Sequence, residues 1–138
     1  MTTILDSAQR QLFAELANVI LPGGSGQPAA RDIDIANQPL DSTLRSRPDL
    51  EPVLIARLQN YYKAKSVGAE EYILSLEEAE LRQLMLIVCA TYYMNPIVKQ
   101  SIGYNGQQAI PLGRGGFGAE ELVMEMMEKP KIFRRAND

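Results

Sequence analysis

Apolar residues recur at steps of three and four along the start of the chain, which is the pattern of one helical stripe. The stripe predicts a first helix from about Asp6 to Leu21. Asp6 is a favourable N-cap, and Gln9 three residues later completes a capping box. Proline and glycine at 22–26 end this helix and predict a loop. The stripe consists of Leu5, Ala8, Leu12, Phe13, Leu16, Val19 and Ile20.

The same periodicity predicts further helices along the chain. Ser75 with Glu78 forms a candidate capping box, which predicts the longest helix over 76–94. Asn95 and Pro96 provide a cap and a first-turn proline for a short helix that Gly103 ends. The other predicted helices cover 29–36, short segments between Asn37, Pro39 and Pro48, a longer stretch from Pro48 through Leu50, Leu54, Leu58, Tyr61 and Tyr62, and 119–129.

No stretch of alternating apolar and polar residues interrupts this pattern, so strands are not predicted. We therefore expect an all-α fold, with residues 1–138 forming a single compact domain of about six helices. A long glycine-rich loop, 103–118, precedes the last helix. Loops of this length without secondary structure are uncommon and tend to be functional.

The second half of the longest predicted helix, 84–94, is apolar on nearly every side. Such a helix must be covered by other helices or by a partner. We expect an apolar surface to be buried partly within the domain and partly against a partner, so that the chain made alone is poorly soluble or self-associates. The residues assigned to this surface are Leu84, Leu86, Ile87, Met94, Met124 and Met127.

The composition argues against several kinds of catalytic and metal-binding site. The chain of 138 residues has no histidine and one cysteine, Cys89, so it lacks an imidazole base and the ligand sets of zinc, haem and iron–sulfur sites. Its net charge of −3 argues against a nucleic-acid surface. We expect the isolated chain to bind no flavin, nucleotide or metal.

The sequence shows no sign of membrane insertion or export. The longest apolar run, 84–94, is shorter than the roughly 20 residues that span a bilayer. The N-terminus shows neither a signal peptide nor a twin arginine. A cytoplasmic location is expected, or a periplasmic one if a leader has been removed.

Residues 113–118 fit the G-x-G-x-x-G pattern of dinucleotide-binding loops. That function requires a preceding buried strand, and Pro111 interrupts the short apolar stretch before Gly113. A nucleotide loop is therefore not expected. The glycines are costly to order, which favours a segment that becomes ordered against another surface.

Three segments together resemble one protein family. They read Val-Ile-Leu-Pro-Gly-Gly at 19–24, Thr-Tyr-Tyr-Met-Asn-Pro-Ile-Val at 91–98, and Ser-Ile-Gly-Tyr-Asn-Gly-Gln-Gln at 101–108, with Pro111 following. Over roughly 5–125 the chain resembles the gluconate 2-dehydrogenase subunit 3 family, the small non-catalytic subunits of membrane-associated flavin dehydrogenases.

The resemblance implies a large partner subunit of the glucose-methanol-choline type. FAD would be held by that partner, which oxidises a sugar, glycoside, sugar acid or alcohol, sometimes with a cytochrome or another electron acceptor. The small subunit would support the folding, stability or export of the partner. Family members commonly carry a twin-arginine leader, and this sequence shows none.

We expect the loop 103–118 to dock on the large subunit. Tyr104 would be an aromatic anchor, and the glycines would allow close backbone approach. The alternative is a loop folded on its own helices, with Tyr104 as a core plug. The residues predicted to bind the partner are Tyr104, Gly106, Gln107, Gln108, Arg114, Phe117, Tyr92 and Tyr93.

Two other functions stay open. An independent enzyme could use Tyr104, Glu120 and Glu121, but it would need a carboxylate of raised pKa in a pocket, and acids at a helix start are explained by the helix dipole. A free-standing helical scaffold or regulator would be soluble and monomeric when made alone.

Overall fold

The computed structural model describes residues 5–109 and 119–130, and this part of the chain is all-α. The fold class is therefore confirmed. Within these ranges the only β-type pairing is a bridge between Gly24 and Gln27. The helices are α1 (Ser7–Ile20), α2 (Gln38–Ser46), α3 (Leu50–Lys63), α4 (Ala69–Ser75), α5 (Glu78–Tyr93), α6 (Pro96–Ser101) and α7 (Ala119–Glu128), with 3₁₀ turns at Ala30–Ile33 and Lys65–Val67.

The chain divides into two compact units between Asn105 and Gly106. Helices α1 to α6 belong to the first unit. In this unit α1 packs against α3 and α4, α5 packs against α2 and α3, and α6 packs against α5. Helix α7 belongs to the second unit.

The first helix begins as the sequence predicts. The Gln9 backbone N–H donates to Asp6 Oδ1 at 2.7 Å, and the Asp6 backbone N–H donates to Gln9 Oε1 at 3.0 Å. This reciprocal box satisfies two of the N–H groups that a helix start leaves without partners. The stripe of α1 then buries Leu12, Phe13 and Leu16.

The predicted cap of the longest helix is wrong. Ser75 does not begin α5; its hydroxyl donates to the Tyr72 carbonyl at 2.6 Å, at the end of the separate helix α4. Glu77 is the N-cap of α5, and its backbone N–H donates to Glu80 Oε2 at 3.3 Å. The helix predicted over 29–36 is also shorter than expected, since Asp34 adopts a left-handed conformation with φ 52° after the 3₁₀ turn.

The core of the first unit is a single apolar cluster with contributions from α1 to α6. In the described part of the chain, no helix has the length and apolar character needed to cross a bilayer. The largest fully buried side chains are Phe13, Leu16, Ile35, Leu40, Leu44, Leu54, Leu58, Tyr61, Leu84, Ile87, Val88 and Tyr92.

Candidate docking surface

Helix α5 has a buried face and an open apolar face. Buried residues occur at 84, 87, 88, 91 and 92, where α2 and α3 pack against the helix. Met85, Leu86 and Tyr93 are exposed, and with the half-buried Cys89 they recur at steps of three and four. This spacing places the four residues on the opposite side of the helix.

Exposed apolar side chains continue beyond the end of α5. Asn95 begins α6, because its Oδ1 accepts a hydrogen bond from the Ile97 backbone N–H at 2.9 Å. Large apolar side chains lie exposed on both sides of this junction. We call the exposed set the apolar strip: Met85, Leu86, Tyr93, Met94, Ile97, Ile102 and Tyr104.

Gly103 ends α6 and sets the backbone position of Tyr104, the last residue of the strip. The Tyr104 backbone N–H donates to the Lys99 carbonyl at 2.9 Å, and the Gly103 N–H donates to the Gln100 carbonyl at 3.1 Å. These two bonds form a Schellman motif, in which Gly103 takes the left-handed position with φ 71°. The backbone of Tyr104 is thus held by α6. Its side chain is 49% exposed, which does not fit a core plug.

The two adjacent tyrosines of α5 have different environments. Tyr92 is only 2% exposed, and its hydroxyl donates to the Pro28 carbonyl at 2.7 Å. Its burial corrects the prediction that Tyr92 is available to a partner. Tyr93 is 47% exposed and packs edge-on against the Tyr92 ring, with 5.1 Å between ring centroids.

The remaining predicted partner-binding residues belong to the second unit. Gly106, Gln107 and Gln108 are exposed, and Gly106 has φ 85°, a conformation that favours glycine. Arg114 and Phe117 lie outside the described residues, as does the glycine pattern at 113–118.

The predicted apolar surface is divided between core and solvent. Leu84 and Ile87 lie in the core, whereas Leu86, Met94, Met124 and Met127 are exposed. Met85 and Cys89 also lie on the open face of α5, although neither was predicted to belong to the apolar surface. The signal that could have identified them is spacing: Cys89 lies three residues after Leu86 and four before Tyr93, and Met85 lies four residues before Cys89.

A cavity of about 310 Å³ adjoins the strip at Met94. Its lining includes Ser42 and Thr91, and it contains no charged side chain. A larger groove of about 470 Å³ lies between α1 and α3, over Leu12 and Leu58. Both linings supply hydroxyls, amides and apolar contacts, and the groove lining also includes the charged side chains of Asp6 and Lys63.

Three titratable side chains of the first unit, Cys89, Tyr61 and Tyr72, are held by burial or by hydrogen bonds between helices. Burial raises the pKa of the Cys89 thiol, which disfavours the nucleophilic thiolate. The Tyr61 hydroxyl donates to Glu15 Oε2 at 2.9 Å, and the Tyr72 hydroxyl donates to Asn60 Oδ1 at 2.7 Å. These bonds join α1 to α3 and α3 to α4.

Within the described part of the chain, no pocket brings together Tyr104, Glu120 and Glu121, the residues that an independent enzyme could use. Glu121 is exposed on α7, and the side chain of Glu120 lies outside the described set. Among the described residues there is also no group of three metal-binding side chains.

No family model, curated protein or solved structure matches the chain. The resemblance to the gluconate 2-dehydrogenase subunit 3 family stays a prediction.

Proposed function

We propose that the chain is a non-catalytic small subunit. It binds a large FAD-dependent dehydrogenase of the glucose-methanol-choline type and stabilises or matures it. The partner holds the flavin and oxidises a sugar, glycoside, sugar acid or alcohol. The observation that carries the proposal is the apolar strip on α5, α6 and the α6 cap.

Five of the seven strip residues lie in the segments that carry the family resemblance. Tyr93, Met94 and Ile97 belong to 91–98, and Ile102 and Tyr104 belong to 101–108. These segments also contribute Val98 and Tyr92 to the core, so only part of their apolar content is explained by folding. A partner surface accounts for the rest.

Burial of the strip would contribute free energy of the same order as the cost of association. Complete burial of one large apolar side chain contributes about 1.5–3 kcal/mol, and strip residues that are about half exposed retain roughly half of that. Seven such residues can offset an association cost of about 4–15 kcal/mol when polar contacts add to them. Gln107 and Gln108 offer amide groups for those contacts, and Gly106 allows close backbone approach.

A pair of leucine variants tests this surface. Leu86 lies on the strip, whereas Leu74 is exposed on α4, outside it. The full chain carrying an affinity tag is produced in its source cells as wild type, Leu86→Ser and Leu74→Ser. Each eluate is examined for a protein with bound FAD that oxidises sugars or alcohols with an artificial electron acceptor.

We expect wild type and Leu74→Ser to retain the flavoprotein equally, and Leu86→Ser to retain about tenfold less, which corresponds to 1.4 kcal/mol. Equal retention by all three proteins would exclude the strip as the binding surface. A wild-type chain recovered as a stable monomer without flavoprotein would instead favour the free-standing scaffold or regulator.

A further inference from the structure

An asparagine followed by a glycine, Asn105 and Gly106, comes directly after the last residue of the apolar strip. The side-chain amide carbon of any asparagine can be attacked by the backbone nitrogen of the next residue, which is one reason why asparagine is thermolabile. A side chain on that next residue crowds the attack, and glycine has none. Whether the pair reacts then depends on the backbone around it.

The backbone at this pair is not held in a helix. Asn105 and Gly106 are both exposed and belong to no helix or turn. The cap of α6 ends one residue earlier, where the Tyr104 N–H donates to the Lys99 carbonyl. Within 5–109 and 119–130, the N–H groups of Asn105 and Gly106 have no hydrogen-bond acceptor. No bond to these ranges therefore opposes the rotation that brings the Gly106 nitrogen to the Asn105 side chain.

The other asparagines of the described ranges are protected by their surroundings. Asn18 and Asn60 lie inside α1 and α3, where the next residue is also helical and its N–H is committed to the helix. Asn95 precedes a proline, which has no N–H. The Asn37 side-chain amide donates to Asp34 Oδ1 at 2.7 Å, and glutamine follows it. Asn105 is the one that combines a glycine neighbour with a non-helical backbone.

We propose that Asn105 is a site of spontaneous covalent modification, at which it converts to aspartate and isoaspartate through a cyclic imide. The Gly106 nitrogen loses its proton and forms a bond to Asn105 Cγ. The bond between Cγ and Nδ2 breaks, and Nδ2 leaves as ammonia with a proton in place of the one lost. The inference does not depend on the proposed function, since it follows from the chemistry of two adjacent residues.

Water then opens the imide in one of two ways. Attack at Cγ breaks its bond to the Gly106 nitrogen and gives aspartate with a normal main chain. Attack at the Asn105 backbone carbonyl gives isoaspartate, in which the main chain runs through the side chain and is longer by one carbon. Either product adds one negative charge to the formal net charge of −3. Because α6 holds the backbone of Tyr104, the change in the main chain falls on the residues that follow it.

The test compares three full-length proteins: wild type, Asn105→Gln and Gly106→Ala. Each is incubated in mildly alkaline buffer and digested at intervals, and the peptides are analysed by mass spectrometry against an unaged sample. Isoaspartate is quantified with an isoaspartate methyltransferase and a labelled methyl donor. Circular dichroism checks that the variants fold. An alanine Cβ at position 106 would meet no atom within 4 Å among the described residues.

We expect wild-type Asn105 to lose its amide at least about tenfold faster than Asn37 in the same molecule, a difference of about 1.4 kcal/mol in barrier. Both aspartate and isoaspartate should accumulate, and the rate should rise with pH because the Gly106 nitrogen must lose its proton. Gly106→Ala should slow the reaction at least about tenfold. Asn105→Gln should give no isoaspartate at this position, because its longer side chain closes a larger ring more slowly.

Three results would overturn the proposal. Loss of the Asn105 amide no faster than that of Asn37 would show that the fold protects this pair. Aspartate without isoaspartate would mean direct hydrolysis by water, with no imide. An undiminished rate in Gly106→Ala would show that glycine does not determine the reactivity. None of these results bears on whether the chain binds a flavoprotein, so the two proposals can fail separately.

Discussion

Tyr92 and Tyr93 are adjacent and chemically identical, yet the structure predicts that loss of their hydroxyls has different effects. The Tyr92 hydroxyl is buried and donates to the Pro28 carbonyl at 2.7 Å, so Tyr92→Phe leaves that acceptor without this donor. A buried group left without its partner costs about 1–3 kcal/mol. Tyr93→Phe removes a hydroxyl from a half-exposed side chain and should change the free energy of unfolding by less than about 0.5 kcal/mol.

Denaturant unfolding followed by circular dichroism measures both variants against wild type. A domain is stable by about 5–15 kcal/mol, so the Tyr92→Phe protein should fold and show a clearly lower midpoint. Binding to the flavoprotein at concentrations of folded protein matched to wild type should be unchanged for Tyr92→Phe. Equal destabilisation by the two variants would refute the assignment of Tyr92 to the core and of Tyr93 to the surface.

Three further predictions follow from single contacts. Burial and the Glu15 carboxylate raise the pKa of Tyr61 from 10.0 to about 12, so the stability that the neutral hydroxyl contributes is complete below pH 10 and is lost as pH rises towards 12. Across this pH range the free energy of unfolding should fall by about 2–3 kcal/mol more in wild type than in Tyr61→Phe. Parallel plots of unfolding free energy against pH for the two proteins would contradict this. In denaturant unfolding, Gly23→Ala should lower the free energy of unfolding by about 1–3 kcal/mol more than Gly26→Ala does. Both glycines have positive φ, but only at Gly23 would the new Cβ approach the Ala29 nitrogen, to 2.9 Å. Equal losses of unfolding free energy would show that Ala29 moves aside. Tyr104→Ala should weaken the complex by at least about 2 kcal/mol in a binding titration while helix content and melting stay nearly unchanged, and a collapsed fold with normal binding of the folded remainder would make Tyr104 structural.

The sequence predicted the local features that depend on neighbouring residues. Asp6 and Gln9 form the expected capping box. Gly103 ends α6 in the left-handed conformation that glycine adopts readily. Each of these features is decided within one or two helical turns, which is the range that a sequence pattern covers well.

The start of α5 was mispredicted because two capping boxes overlap. Ser75 with Glu78 and Glu77 with Glu80 both have the required spacing. The choice depends on backbone conformation: Ser75 is the last residue of helix α4, whereas Glu77 has the extended backbone of an N-cap, with φ −66° and ψ 156°. Helix α4 was itself not predicted, because its seven residues are too few for a clear apolar period.

The roles of Tyr92 and Tyr93 required tertiary information. Spacing from Leu84 and Val88 places Tyr92 on the buried face, but the hydroxyl partner, Pro28, lies 64 residues earlier. Residue type alone suggests the same role for both tyrosines. Likewise, the apolar run 84–94 predicted that other helices or a partner cover α5. Which side of α5 is left open depends on how α2 and α3 pack against it.

The central claim is that this chain serves a separate flavoprotein. It is tested most directly by purifying the tagged full-length chain from its source cells and measuring FAD in the complex and in the chain after separation. We predict FAD in an amount equal to the large subunit, together with oxidation of a sugar or alcohol, and no FAD on the isolated chain. A chain that purifies as a flavin-free monomer, or one that itself retains FAD, would contradict the account.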